Sequence, residues 1–193
     1  MFDLNGKEFK GTSIFNGGIA GKVDDVTISV EKKKDDEPDT YPAYKVVIED
    51  NAGGKINSGF YYFTPNSSKS DEDNSKLERL QVGRVLHIAR AVMGNDYSFP
   101  NVTTSKEAFD TLFKLVSDNA GGGKYNVFAT YGTTSYPNKK GYLSLRYFNF
   151  IENAASPSGT LKAGPADLLE KIAPSEPVTT SSNTGAATSG GWS

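Results

Sequence analysis

Residues 104–133 read TSKEAFDTLFKLVSDNAGGGKYNVFATYGT, and the passage changes secondary structure halfway along. Thr104 followed three residues later by Glu107 is a capping box. Each side chain satisfies a backbone N–H that a helix leaves without an internal partner. Phe109, Leu112, Phe113 and Val116 then recur at helical spacing and form one apolar stripe. The pattern predicts a helix from Ser105 to Asn119, ended by Gly121-Gly122-Gly123. From Lys124 to Thr133 the chain reads as a strand.

Upstream lies a second helical pattern, from about Asn74 to Met93. Leu77, Leu80, Val85, Ile88, Ala89 and Val92 share a broad apolar face, and Asp71, Glu72 and Asp73 suit the positive N-terminal end. Before it come three strands. Val26, Ile28 and Val30 alternate with polar residues, the period of a half-buried strand. Tyr44–Asp50 follows a charged loop, Lys32–Pro42, and Lys55–Thr64 follows the turn Asn51-Ala52-Gly53-Gly54. Met1–Phe15 reads as a leader of one or two short strands. A last strand spans Tyr142–Ile151. Three strands, two helices and two strands is the order of an OB barrel, in which helix separates strands three and four. The expectation is a mainly β, OB-like five-stranded barrel over residues 1–152, with a β-sandwich as the competing architecture. Residues 153–193, rich in Ser, Thr, Gly, Ala and Pro, read as a flexible linker and tail. Within it, Ala166–Ile172 has the pattern of a short helix.

Composition narrows the chemistry. The 193 residues contain no Cys and one His, His87. Disulfides, thiolate zinc sites, cysteine nucleophiles and multi-histidine metal sites are therefore excluded. Gly121-Gly122-Gly123-Lys124 fails as a phosphate loop because Tyr125 stands where Ser or Thr is needed, and the helix precedes the strand. The acid clusters at 35–39 and 71–73 lack calcium-loop spacing. No nucleophile–base signature is visible. The expectation is a non-enzymatic protein without a cofactor. No apolar stretch is long enough to span a membrane, and charges occupy the N-terminus where a secretion signal would be apolar. A cytoplasmic location follows as an expectation. The formal charge of −2, from 21 basic and 23 acidic residues, argues against a strongly basic DNA coat but not against a local basic groove.

The strands carry more aromatics than one core face requires. In strand three, Ile56, Ser58, Phe60 and Tyr62 form one face; Lys55, Asn57, Gly59, Tyr61 and Phe63 form the other. In strand five, Leu143, Leu145 and Tyr147 lie opposite Tyr142, Ser144, Arg146, Phe148 and Phe150. Either helices and leader cover the second set or a partner does. Aromatics for bases and cations for phosphates are what a single-strand groove supplies. Two loops flank the binding face of an OB barrel. The first holds Lys32, Lys33 and Lys34 beside Asp35, Asp36, Glu37 and Asp39, a run that can neutralise itself in solvent. The second holds Tyr136, Lys139 and Lys140 with no local acid. On the polar side of the first helix, Lys76, Arg79, His87 and Arg90 read either as a solvated face or as a phosphate-contacting stripe.

The segments Phe15-Asn16-Gly17-Gly18, Val26–Lys34, Phe60–Pro65, Gly83–Arg90 and Arg146–Phe150 resemble phage-encoded single-stranded DNA-binding proteins, over roughly residues 10–152. The resemblance implies an OB barrel that coats transient single strands in phage replication, recombination or repair, in the host cytoplasm. Such proteins often recruit replication partners through an acidic tail. Here residues 153–193 carry Asp167, Glu170 and Glu176 against Lys162 and Lys171, a departure from that pattern. Two other classes compete: a virion or scaffold β-domain, and a carbohydrate-binding module whose aromatics stack on sugars.

Overall fold

The computed structural model describes residues 13–98, 101–102, 104–147 and 149–172. Strands β1 (Gly21–Lys32), β2 (Tyr44–Glu49) and β3 (Lys55–Phe60) are followed by helices α1 (Asp71–Met93) and α2 (Ser105–Asn119). Strands β4 (Tyr125–Thr130), β5 (Ser144–Leu145) and β6 (Ile151–Asn153) complete the order. The sheet runs β3-β2-β1-β4-β5, all antiparallel, with β6 also on β4. β5 and β6 are two pieces of one fifth strand, and β3 comes close to β5, so the sheet is a nearly closed five-strand barrel. The expected OB-like architecture is met.

β1 makes closure possible. Its first half pairs with β4 and its second half with β2, and the register shifts between Val23 and Val26, where Asp25 has φ 57°. This bulge bends one long strand around two neighbours. Both helices pack on the barrel. Ser70 Oγ caps α1 by accepting the Asp73 N–H, and Thr104 Oγ1 caps α2 by accepting the Glu107 N–H. Phe109, Leu112, Phe113 and Val116 of α2 are buried in the main core with Tyr44 and Phe60. Phe113 stacks on Tyr44 at 4.4 Å and meets Phe60 edge-on at 5.2 Å. Of the apolar face expected on α1, Val85, Ile88 and Ala89 are buried, whereas Leu77 and Leu80 are exposed.

Four expectations need correction. The fifth strand is not continuous. Arg146 N–H donates to the Phe128 carbonyl and Phe128 N–H to that of Phe150, so Tyr147 and Asn149 lie off the ladder, with Asn149 at φ 47°. Tyr147, expected inside, is exposed, and Phe150, expected outside, is fully buried. Second, residues 153–172 are not a flexible linker. Leu168 exchanges backbone hydrogen bonds with Tyr131 and Gly132, Thr134 N–H donates to the Ala166 carbonyl, and Leu161 is buried. β4 is buried on both faces; on one of them the Phe128 ring is covered by the Arg146 guanidinium, which this strap holds through the Lys162 carbonyl and Asp167. Third, 166–172 is no helix. Asp167 bridges Thr133, and its Oδ2 accepts the Gly164 N–H at 2.7 Å, holding a turn that opposes helical winding. Fourth, of the leader Met1–Phe15, residues 1–12 lie outside the described residues, as do residues 173–193, and residues 13–15 belong to a turn rather than a strand.

Candidate nucleic-acid interface

The β1–β2 loop, residues 33–43, opens a groove of about 630 Å³ against the end of β3 and the first turn of α2. Lys32, Lys33, Lys34, Tyr41, Tyr61 and Lys106 bring its cations and aromatics together. Tyr61 is 53% exposed because β3 ends at Phe60 and the chain then leaves the sheet. Lys33 Nζ is already paired with Asp39 Oδ1 at 2.9 Å, and the Lys34 N–H donates to Glu37 Oε2. The loop is thus partly self-neutralised. Lys32 and Lys106 instead point their ammonium groups at rings, 5.8 Å from Tyr44 and 5.4 Å from Tyr62.

The floor of this groove is a carboxylate between two phenols. Asp110 Oδ1 accepts from Tyr44 and Tyr62, each at 2.5 Å. Burial pushes the Asp110 carboxyl up, but the two phenols, with Lys32 and Lys106 nearby, outweigh it and hold the group below its ordinary value. Burial and the same carboxylate raise the Tyr62 phenol to about 12 and shift Tyr44 upward as well. All three stay in one protonation state at neutral pH, so the unit is a lock between α2 and the strands.

The β4–β5 loop, residues 131–143, is the second candidate. The strap pairs with its base, and Asn138 ties its tip by donating to the Tyr142 carbonyl at 2.8 Å. On this frame Tyr136 is 84% and Tyr142 56% exposed. Lys139 and Lys140 are exposed without an ion pair among the described residues, and Lys140 Nζ lies 6.0 Å from the Tyr142 ring.

The remaining predicted residues separate from these sites. Lys55 is paired across the sheet with Glu49 at 3.1 Å. Phe63 is half-buried, and Phe148 lies outside the described residues. Arg146 does not face a groove. Its guanidinium lies 3.8 Å above the Phe128 ring and donates to Asp167 and to the Lys162 carbonyl, each at 2.5 Å. It is the anchor of the strap, which a strand-parity reading could not see. Lys76 is paired with Glu72 along α1. The sequence reading missed Tyr41 and Lys106. An aromatic beside Pro42 in a basic loop was a signal for Tyr41, whereas Lys106 has the pattern of an ordinary helix-surface lysine.

Comparisons of the chain with known protein families, with curated proteins and with solved structures found no match. Among the described residues, no cluster of His, Asp or Glu could hold a metal ion, and no helix is long and apolar enough to cross a membrane.

Proposed function

We propose that this protein is a sequence-tolerant single-stranded DNA-binding protein, acting without catalysis in phage DNA replication, recombination or repair. The observation that carries the reading is the pairing of exposed aromatics with cations that form no ion pair among the described residues, at both loops that flank the barrel face. Tyr136 and Tyr142 stand beside Lys139 and Lys140; Tyr41 and Tyr61 stand beside Lys32, Lys34 and Lys106. Apolar rings held in water on ordered loops gain free energy only when something covers them. Bases can do so without sequence preference, because every base has a π-face. Neighbouring ammonium groups supply the phosphate contacts. Replication or recombination proteins are the partners this role implies, and the segment beyond Ile172 is the place proposed for them.

A fluorescence titration with oligo-dT at two salt concentrations tests the reading. Binding should weaken as salt rises, with a slope of about −0.7 per neutralised phosphate. Absence of binding at low salt would leave a structural β-domain as the better description, and salt-independent binding of a polysaccharide would favour sugar stacking.

A further inference from the structure

The face of α1 turned to the fifth-strand bulge encloses a cavity of about 230 Å³ that shares no residue with the loop groove. Its cationic lining is Arg79, Arg84 and Arg90, with His87 between them. None of the three arginines has a carboxylate in ion-pair range among the described residues. Arg84 is half-buried, and its Nε donates to the Tyr147 carbonyl at 3.1 Å. Its guanidinium lies 4.3 Å from the Tyr147 ring centroid and 5.1 Å from that of Phe60. Ring stacking offsets only part of the cost of withdrawing a cation from water. The terminal nitrogens have no hydrogen-bond partner among the described residues. His87 Nε2 accepts the Ile151 N–H at 3.4 Å, which leaves Nδ1 as the protonated nitrogen. Burial, with the charge of Arg90 added, holds this imidazole below its usual pKa, so at neutral pH it is an uncharged donor.

A second, independent observation is Gly83. It sits in the middle of a 23-residue helix and lines the cavity, and a Cβ built there meets nothing within 4 Å. Glycine in a helix interior is destabilising relative to alanine. No close packing explains it, and its effect is to keep the cavity open. Around the opening, Leu80 and Tyr147 are exposed apolar walls. The volume lies below the roughly 300–1,000 Å³ of small-molecule sites, which suits one unit of a polymer better than a free cofactor.

We propose that this cavity binds a phosphate of a nucleic-acid strand, held by Arg84 with Arg79 and Arg90, while the attached nucleoside lies against Leu80 and Tyr147. The inference rests on the single-strand reading and extends the path of the strand from the loops to the helix side of the barrel. Such a contact positions the strand without reading its sequence.

His87, the single histidine, makes the test direct, because its imidazole NMR signals report this side of the barrel and not the loops. Thymidine 5′-monophosphate and oligo-dT are added separately to the full chain and to three variants. Both ligands should shift the His87 signals saturably in the wild type. Gly83→Leu should fill the cavity, raise the melting temperature and abolish the shift by the mononucleotide. Arg79→Gln with Arg90→Gln, both exposed and so harmless to folding, should weaken oligo-dT binding by roughly tenfold, from loss of charge-assisted hydrogen bonds. Lys139→Ala with Lys140→Ala should leave the mononucleotide shift intact. If oligo-dT binds but His87 does not respond to either ligand, the cavity proposal is overturned and the loop reading stands. If the wild type binds no oligo-dT, both fall together.

Discussion

Asp110 shows how one carboxylate couples the helix layer to the barrel. It projects from α2 toward Tyr44 and Tyr62 and accepts from both hydroxyls. Replacing it with Ala leaves the hydroxyls of buried Tyr44 and half-buried Tyr62 without their acceptor. Asp110→Ala should therefore cost about 2 kcal/mol, since hydrogen bonds to charged groups contribute roughly 1.5–3 kcal/mol; denaturant unfolding measures it. The same group makes stability depend on acid. Its pKa is lower in the folded chain than in the unfolded one. The stabilisation is thus complete above the unfolded carboxylate value of about 4 and is lost as pH falls through the lower folded value. Asp50 adds to this. Burial raises its carboxyl, but Phe15 N–H, Ser13 Oγ and the N–H groups of Gly54 and Ala52 outweigh that and lower it. The melting temperature should fall steeply below about pH 4, and Asp110→Asn should make that fall shallower. An unchanged acid profile in the variant would show that the phenol lock does not bind its proton as argued.

At the scale of elements, local signals and long-range ones part company. The caps of α2, its apolar stripe and the glycine stop are encoded within a few residues, and Ser105–Asn119 appears where the capping box placed it. The faces of β3 are legible for the same reason: strict alternation puts Ile56 and Phe60 inside and leaves Lys55, Asn57 and Gly59 outside. The strap was not legible. Its few apolar residues cannot fold alone, and the backbone it pairs with, Tyr131 and Gly132 after β4, lies distant in sequence. The role of Arg146 follows the same logic, since the Asp167 it holds is 21 positions away. The side chains of this pair are only 14% and 9% exposed. Asp167→Ala leaves the guanidinium covered without its anion and should cost about 3 kcal/mol. Truncation after Ala155 frees the guanidinium to reach water, yet uncovers the Phe128 ring and removes the Leu168 backbone pairing. It too should lower the melting temperature by several degrees. A truncated chain that melts like the full one would reduce the strap to a surface ornament.

On the scale of the whole molecule, charge has to be placed rather than accumulated. The formal charge is −2, so bulk attraction to a polyanion is absent. Among the described residues, Lys22, Lys33, Lys45, Lys55, Lys76, Lys114 and Arg146 are already committed to carboxylates. Such a cation must give up one anion to take a phosphate, and so adds little to ion release. Most of the uncommitted cations lie at the β4–β5 loop, the mouth of the β1–β2 groove and the α1 cavity, while Lys69, Lys124, Lys162 and Lys171 lie elsewhere. This division predicts unequal lysines. Lys139→Ala with Lys140→Ala should lower the affinity for oligo-dT and flatten its salt slope by roughly 0.7 for each phosphate left without its cation. Lys33→Ala should leave the slope nearly unchanged, although its run of three lysines is the more basic in sequence. Tyr136→Ala or Tyr142→Ala should cost about 1–3 kcal/mol per stacked base and leave the slope intact, because every phosphate keeps its partner. Titrations at several salt concentrations separate the two kinds of effect. Equal slope changes for Lys33 and for the Lys139–Lys140 pair would mean that the Lys33–Asp39 pair opens freely on binding. In that case the first loop, rather than the second, would carry most of the phosphate contacts.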